Sequence, residues 1–207
     1  MATGTPHLNP QATESELLHN LRLAIVDYYL NESNPDNGLI ADRNEPGSPS
    51  SIAAVGMGLS VYVVAVERGI LSRTDAVDRT LALLRFLHSS RQSPEPNATG
   101  YKGFYYHFLD MQTGLRAMEC ELSTVDTAII MAGILTAAAY FTGDNEKEIE
   151  LRKLADILYG RVDWRWALNG GTTITHGWKP ESGFLPYRCT PRPSDREENL
   201  TRASNRE

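Results

Sequence analysis

From Thr13 onward, stretches in which apolar residues recur every three or four positions alternate with stretches that carry no charge at all. Leu17, Leu18, Leu21, Ile25, Tyr28 and Tyr29 fall at helical spacing behind Thr13 and Glu16, a capping-box pair whose side chains satisfy amides that a helix start leaves unpaired. This predicts a half-exposed helix that stops at the turn residues Asn34, Pro35 and Gly38. The fifteen residues from Ile52 to Val66 hold no charge and predict a helix apolar on every side, which must be surrounded on every side. Ser72 and Asp75 open a third helix, about 73 to 89, with Val77, Leu81, Leu84 and Leu87 opposed to Asp78, Arg79 and Arg85. Ser123 starts a fourth, uncharged from Thr127 to Phe141, and a fifth, about 146 to 161, is two-faced again. Between the third and fourth, residues 104–110 and 115–122 read as two strands joined by a turn at 111–114.

The helices thus run half exposed, buried, half exposed, buried, half exposed. Connectors are long after each exposed helix (31–51, 90–122, 162–188) and short after each buried one. Buried helices running parallel inside antiparallel outer ones would gather all the long loops on one face, at the N-terminal ends of the inner helices. The predicted fold is all-α, a partial (α/α)6 toroid of five helices with two short β-hairpin loops on one face. Residues 1–12 are expected to be a disordered lead-in and 13–188 the domain. Residues 189–207 are too poor in apolar side chains to bury a core and are expected to be a disordered tail.

Composition narrows the partners. With 41% hydrophobic and 22% charged residues the chain has the make-up of a globular domain. Its net charge of -6 argues against a grip on nucleic acid, which needs a basic face. The uncharged runs fall short of the roughly 20 residues a bilayer needs, so no membrane partner is expected. Cys120 and Cys189 have no paired spacing and the five histidines form no ligand motif, so neither a metal nor another cofactor is expected. The first residues lack a basic region followed by an apolar one, and the expected location is cytoplasmic.

The loops hold the candidate chemistry. Tyr101, Tyr105, Tyr106, Trp164, Trp166, Trp178 and Tyr187 are interleaved with acids and amides, which suits a neutral polyhydroxylated ligand: flat rings cover a sugar's apolar face and polar edges take its hydroxyls. Glycoside chemistry would need two facing carboxyl groups, with Asp110, Glu119, Glu121, Asp126 and Glu181 as candidates. Each has a plainer reading. Asp126 could complete a cap with Ser123, Asp110 could be a turn acid, and one of Glu119 and Glu121, two apart on a strand, could be solvated. His107 could be a structural imidazole.

Five motifs sharpen the picture: SIAAVG at 51–56, GYKGFYYHFLD at 100–110, ELSTVDTA at 121–128, RVDW at 161–164 and HGWKPE at 176–181. Together they resemble the bacterial glycoamylase-like domain, related to glycoside hydrolase family 144 and to the glycoamylase-like part of cyclic glucan synthases. The resemblance implies an (α/α)6 toroid acting on β-1,2-linked glucan by hydrolysis or transglycosylation, with Glu181 as acid candidate and Asp110, Glu121 and Asp126 lining subsites. The expected site is then Glu181, Glu121 and Asp126 for catalysis, and Tyr105, Tyr106, His107, Asp110, Arg116, Trp178 and Lys179 for an oligo- or polysaccharide. After Arg188 the sequence leaves the family pattern, so a truncation after the N-terminal half is expected. Two consequences follow: an inactive chain that self-associates through uncovered apolar helices, or alternatively a non-catalytic carbohydrate-binding fragment.

Overall fold

The computed structural model describes residues 13–189, so the expected lead-in and nearly all of the expected tail lie outside it. The five helices stand where the periodicity puts them: α1 (Glu14–Asn31), α2 (Ile52–Glu67), α3 (Arg73–Ser89), α4 (Thr124–Tyr140) and α5 (Glu146–Arg161). The starts of α1, α3 and α4 are capped where the sequence pointed: Thr13 and Glu16 form the reciprocal box, and the side chains of Ser72 and Ser123 each accept from the amide three residues on; Asn145 does the same for α5, and α2 has no side-chain cap.

The apolar pair α2 and α4 run side by side in one direction, since the His107 backbone links their starts, accepting from Ile52 and donating to Glu121, and the Tyr140 hydroxyl donates to Glu67 at their ends. Their backbones touch: a Cβ on Gly133 would fall on the Gly56 carbonyl, and one on Gly56 would fall on the Ile130 backbone. The two-faced pair α3 and α5 are likewise parallel. Arg73 meets Glu148 at their starts, and Arg161 donates to the Leu87 and His88 carbonyls at their ends. Links of only a few residues, 68–72 and 141–145, reverse the chain between inner and outer helices.

The flanks expected to be left uncovered on the inner helices are open among the described residues: Met57, Val64, Val125 and Leu135 are 41–52% exposed. The apolar stripe of α1 is open as well, with Leu17, Leu18, Leu21 and Ile25 exposed and only Val26 buried. Nothing described packs on its first turns, and only its last turn joins the core, where Tyr28 donates to the Ala41 carbonyl.

The all-α expectation is too narrow. The loops pair into two sheets rather than two separate hairpins. β1 (Ser50–Ser51) pairs with β4 (Phe108–Leu109). The second sheet runs β2 (Gly100–Tyr101), β3 (Phe104–Tyr106), β5 (Leu122–Ser123), β6 (Gly177–Lys179), β7 (Gly183–Phe184), antiparallel throughout. The strand expected over 115–122 does not form. Met118 and Glu119 take left-handed conformations (φ 56° and 49°), which turns the chain there, so that Arg116 keeps an isolated bridge to Leu109 and Leu122 and Ser123 pair separately as β5. Because β1 runs into α2 and β5 into α4, the sheets gather the starts of both inner helices on one face.

Candidate functional site

His107 lies at the junction of the two sheets. Its amide donates to the Glu121 carbonyl and its own carbonyl accepts from Ile52, so its backbone bridges the starts of α2 and α4. Its Nδ1 is hydrogen-bonded to the Asp126 carboxylate in the first turn of α4, leaving Nε2 as the nitrogen for a ligand. Asp126 therefore caps with its amide, which donates to Ser123, while its nearly buried carboxylate serves the histidine. Sequence pattern foresaw the cap and not the imidazole partner, because a contact across nineteen residues has no local signature.

In the five-stranded sheet Tyr106 stands opposite Leu122, Leu122 opposite Trp178, and Trp178 opposite Phe184, so these side chains share one face. Trp166 comes down on that face, with ring centroids 5.8 Å from Trp178, 5.7 Å from Phe104 and 4.7 Å from Phe184. Tyr101 closes the cluster at 5.4 Å from Trp178. Tyr105 and Tyr106, expected to touch ligand, are both at 0% exposure and form the wall behind the rim. Burial pushes both phenols up to about 12. The Tyr105 hydroxyl donates to the Leu87 carbonyl, whereas the Tyr106 hydroxyl has no partner among the described residues. Trp178 keeps a half-buried ring at the rim.

Arg116 lies with its guanidinium over the Tyr106 ring, 4.8 Å from the centroid, and its side chain is 3% exposed. Its nitrogens all donate within the protein: Nε to the Cys120 carbonyl at 2.6 Å, Nη2 to the Glu119 carbonyl at 2.8 Å, and both Nη to Glu181 at 2.6 and 3.1 Å. Expected as a ligand contact, Arg116 instead positions a carboxylate. Its fork holds Glu181 below the usual carboxylate range, opposite to what a general acid requires. Glu181 itself is half exposed and open to a ligand. Lys179 also donates to the Glu119 carbonyl, so two cations brace the left-handed turn at 118–119.

Asp110 is set apart from this cluster, exposed in the turn after β4. One of its oxygens accepts from the amides of Gln112 and Thr113 and from the Thr113 hydroxyl, which lowers its pKa. The Glu121 carboxylate, half-buried beside Gly177, has no hydrogen-bond or ion-pair partner among the described residues. Glu119, with its left-handed backbone, no longer shares a strand face with Glu121. Sequence reading missed this turn, since neither Met118 nor Glu119 is a residue type that announces a positive φ. Among the described residues no group of three or more His, Cys, Asp or Glu side chains is placed to hold a metal ion, and no helix is long and apolar enough to cross a membrane.

No family model matches the chain. Among curated proteins, an exo β-1,2-glucooligosaccharide sophorohydrolase (non-reducing end) from Parabacteroides distasonis is 33% identical over 182 residues, covering 84% of this chain and 24% of that protein. Among solved structures, a glucoamylase candidate from Bacteroides uniformis superposes with a TM-score of 0.75 at 25% identity, over 84% of this chain and 42% of that one. The endo-β-1,2-glucanase from Chitinophaga pinensis, solved with sophorotriose and glucose, has the same fold over the matched part: TM-score 0.75, 22% identity, 87% of this chain and 44% of that one. The chain thus spans about a quarter of the curated relative and less than half of these two solved structures.

Proposed function

We propose, from the premise that this chain is kin to the bacterial glycoamylase-like proteins that act on β-1,2-glucan, that its loop face is one flank of a cleft for β-1,2-linked glucose units. The carrying observation is that the loop face at the starts of α2 and α4 carries a hydrogen-bonded Asp126–His107 pair and a half-buried Glu121, with an Arg116-held Glu181 in the turn after β6. Such a set suits glycoside chemistry, in which one carboxyl hands over a proton and another remains ionised. Glu121, with no partner among the described residues, is our candidate for the carboxyl that works directly on the glycosidic bond. Glu181, kept ionised by Arg116, stabilises positive charge that develops at the sugar ring or orders a water. Asp126 fixes the His107 ring, so that Nε2 meets a sugar hydroxyl. Trp178 offers a half-buried ring on which a sugar's apolar face lies.

The curated relative hydrolyses β-1,2-glucooligosaccharides by its name, and one neighbour was solved with sophorotriose; both properties come to this chain as part of the proposal. The test is release of reducing ends from linear β-1,2-glucan by the purified chain. Turnover that Glu121→Gln abolishes, with sophorotriose binding kept, supports the assignment; turnover that survives the substitution overturns it. The partial span of the relatives favours a second reading, binding without turnover. The exposed apolar positions on α1, α2 and α4 support self-association of the chain in solution, read by light scattering, and a monomer at all concentrations would refute it.

A further inference from the structure

A groove lies away from the tryptophans. It has a volume of about 710 Å³, runs between the segment after α1 and the turn after β4, and is continued by a second cavity of about 330 Å³. The two share Glu45, Gly47, Ser48, Pro49 and Met118, so they form one trough. Its near end is lined by Phe108, whose ring packs on His107 at 4.0 Å between centroids, and its far end by Glu32, Asp36 and Asp110. The trough therefore begins one residue from the candidate site and leads away from it.

Its walls are pre-formed. The side-chain amides of Asn34 and Asn37 both donate to the Met111 carbonyl, at 2.7 and 3.0 Å, which pins one wall to the other. Met118 borders both cavities, 73% exposed, on a backbone with φ 56°. A methionine loses free energy in that conformation, and the next residue, Glu119, repeats it. The arrangement persists because Arg116 and Lys179 hold the Glu119 carbonyl. The same Arg116 grips Glu181, so the wall of the trough and the anion of the site share one brace.

We propose that this trough is an extension subsite for a longer glucan chain, with Met118 as the apolar platform that gives affinity its dependence on chain length. The inference rests on the β-glucan reading above. The chemistry of the walls fits a neutral polyol: carboxylates of Glu32, Asp36, Glu45 and Asp110 accept hydroxyl protons, and Met118 gives one sugar face an apolar contact. An anionic ligand would be repelled. The only cation lining the trough among the described residues, Arg43, is paired with Asp42. The size also falls in the range of ligand clefts, about 300 to 1,000 Å³.

Calorimetric titration of the full chain with β-1,2-glucooligosaccharides of three and six units tests it. Wild type is expected to bind the six-unit ligand about tenfold more tightly, and Met118→Gly to reduce that ratio to threefold or less while leaving three-unit binding alone. Because glycine accepts a positive φ freely, the same variant should keep its Tm or raise it by up to about 3 °C, which separates a lost subsite from a damaged fold. Glu45→Trp, filling the mouth common to both cavities, is expected to remove the length dependence too. Equal wild-type affinity for both lengths, or a ratio unchanged in both variants, overturns the subsite and leaves the reading of the site intact. Failure of either oligosaccharide to bind overturns that reading first, and the subsite with it.

Discussion

Two arginine–glutamate forks in this molecule have the same chemistry and opposite burial. At the start of α3 and α5, Arg73 is 41% exposed while Glu148 is 5% exposed; at the loop face, Arg116 is 3% exposed while Glu181 is 51% exposed. Glu148 is further enclosed by the Gly143 amide and the Asn145 side chain, so every donor points inward at a buried anion and the fork ties two helices together. At the loop face the cation is buried and the anion presented to solvent. A fork of the first kind stabilises a scaffold, and one of the second holds a charge ready for something outside the protein.

Breaking the first fork should have the largest effect. Arg73→Met strands a buried carboxylate and is expected to cost about 3 kcal/mol, read from the urea midpoint. Its pH counterpart is next. Arg73 pulls the Glu148 pKa down to about 2 from an ordinary value of 4.5. The unfolded chain therefore binds the proton first on acidification. The stabilisation is complete above about pH 5 and fades as pH falls towards 2, a loss on the order of 2 kcal/mol after allowing for the half-exposed arginine. Glu148→Gln should flatten this part of the stability profile; an unchanged acid limb would mean that other carboxylates set it.

The second fork should respond the other way. Glu181→Gln is expected to leave the unfolding midpoint where it is, since the carboxylate is solvated, while weakening sophorotriose binding about tenfold. A shifted midpoint with unchanged binding would make this fork a staple like the first. The smallest effect belongs to the ring beneath Arg116. Tyr106→Phe deletes a buried hydroxyl with no partner among the described residues, so stability should hold or rise by about 1 kcal/mol. A fall in stability would reveal a partner for that hydroxyl.

The forks also mark how far the sequence could be read. Helical spacing and caps at Thr13, Ser72 and Ser123 located the elements that carry Arg73, because those signals lie within one turn of each helix start. The pairing of Arg73 with Glu148 spans 75 residues and had no such signal. At the loop face the residue types at 100–110, 121–128 and 176–181 pointed to Asp126, His107, Glu121 and Glu181. Their geometry depends on a sheet whose strands are two or three residues long and pair across the chain. Local β-propensity cannot fix such a register. It overextended one strand through Met118 and Glu119. Residue type and resemblance gave Tyr105, Tyr106 and Arg116 to the ligand, although the fold buries both tyrosines and the protein's own carbonyls and Glu181 occupy the arginine.

The central claim is that the loop face recognises β-1,2-linked glucose units, and linkage is what an isothermal titration reads most directly. Sophorotriose should bind the purified chain at least tenfold more tightly than the β-1,4-linked trisaccharide, with the preference reduced in Asp126→Asn, which disturbs the His107 ring. Equal affinity for both linkages, or binding of neither, would contradict the claim.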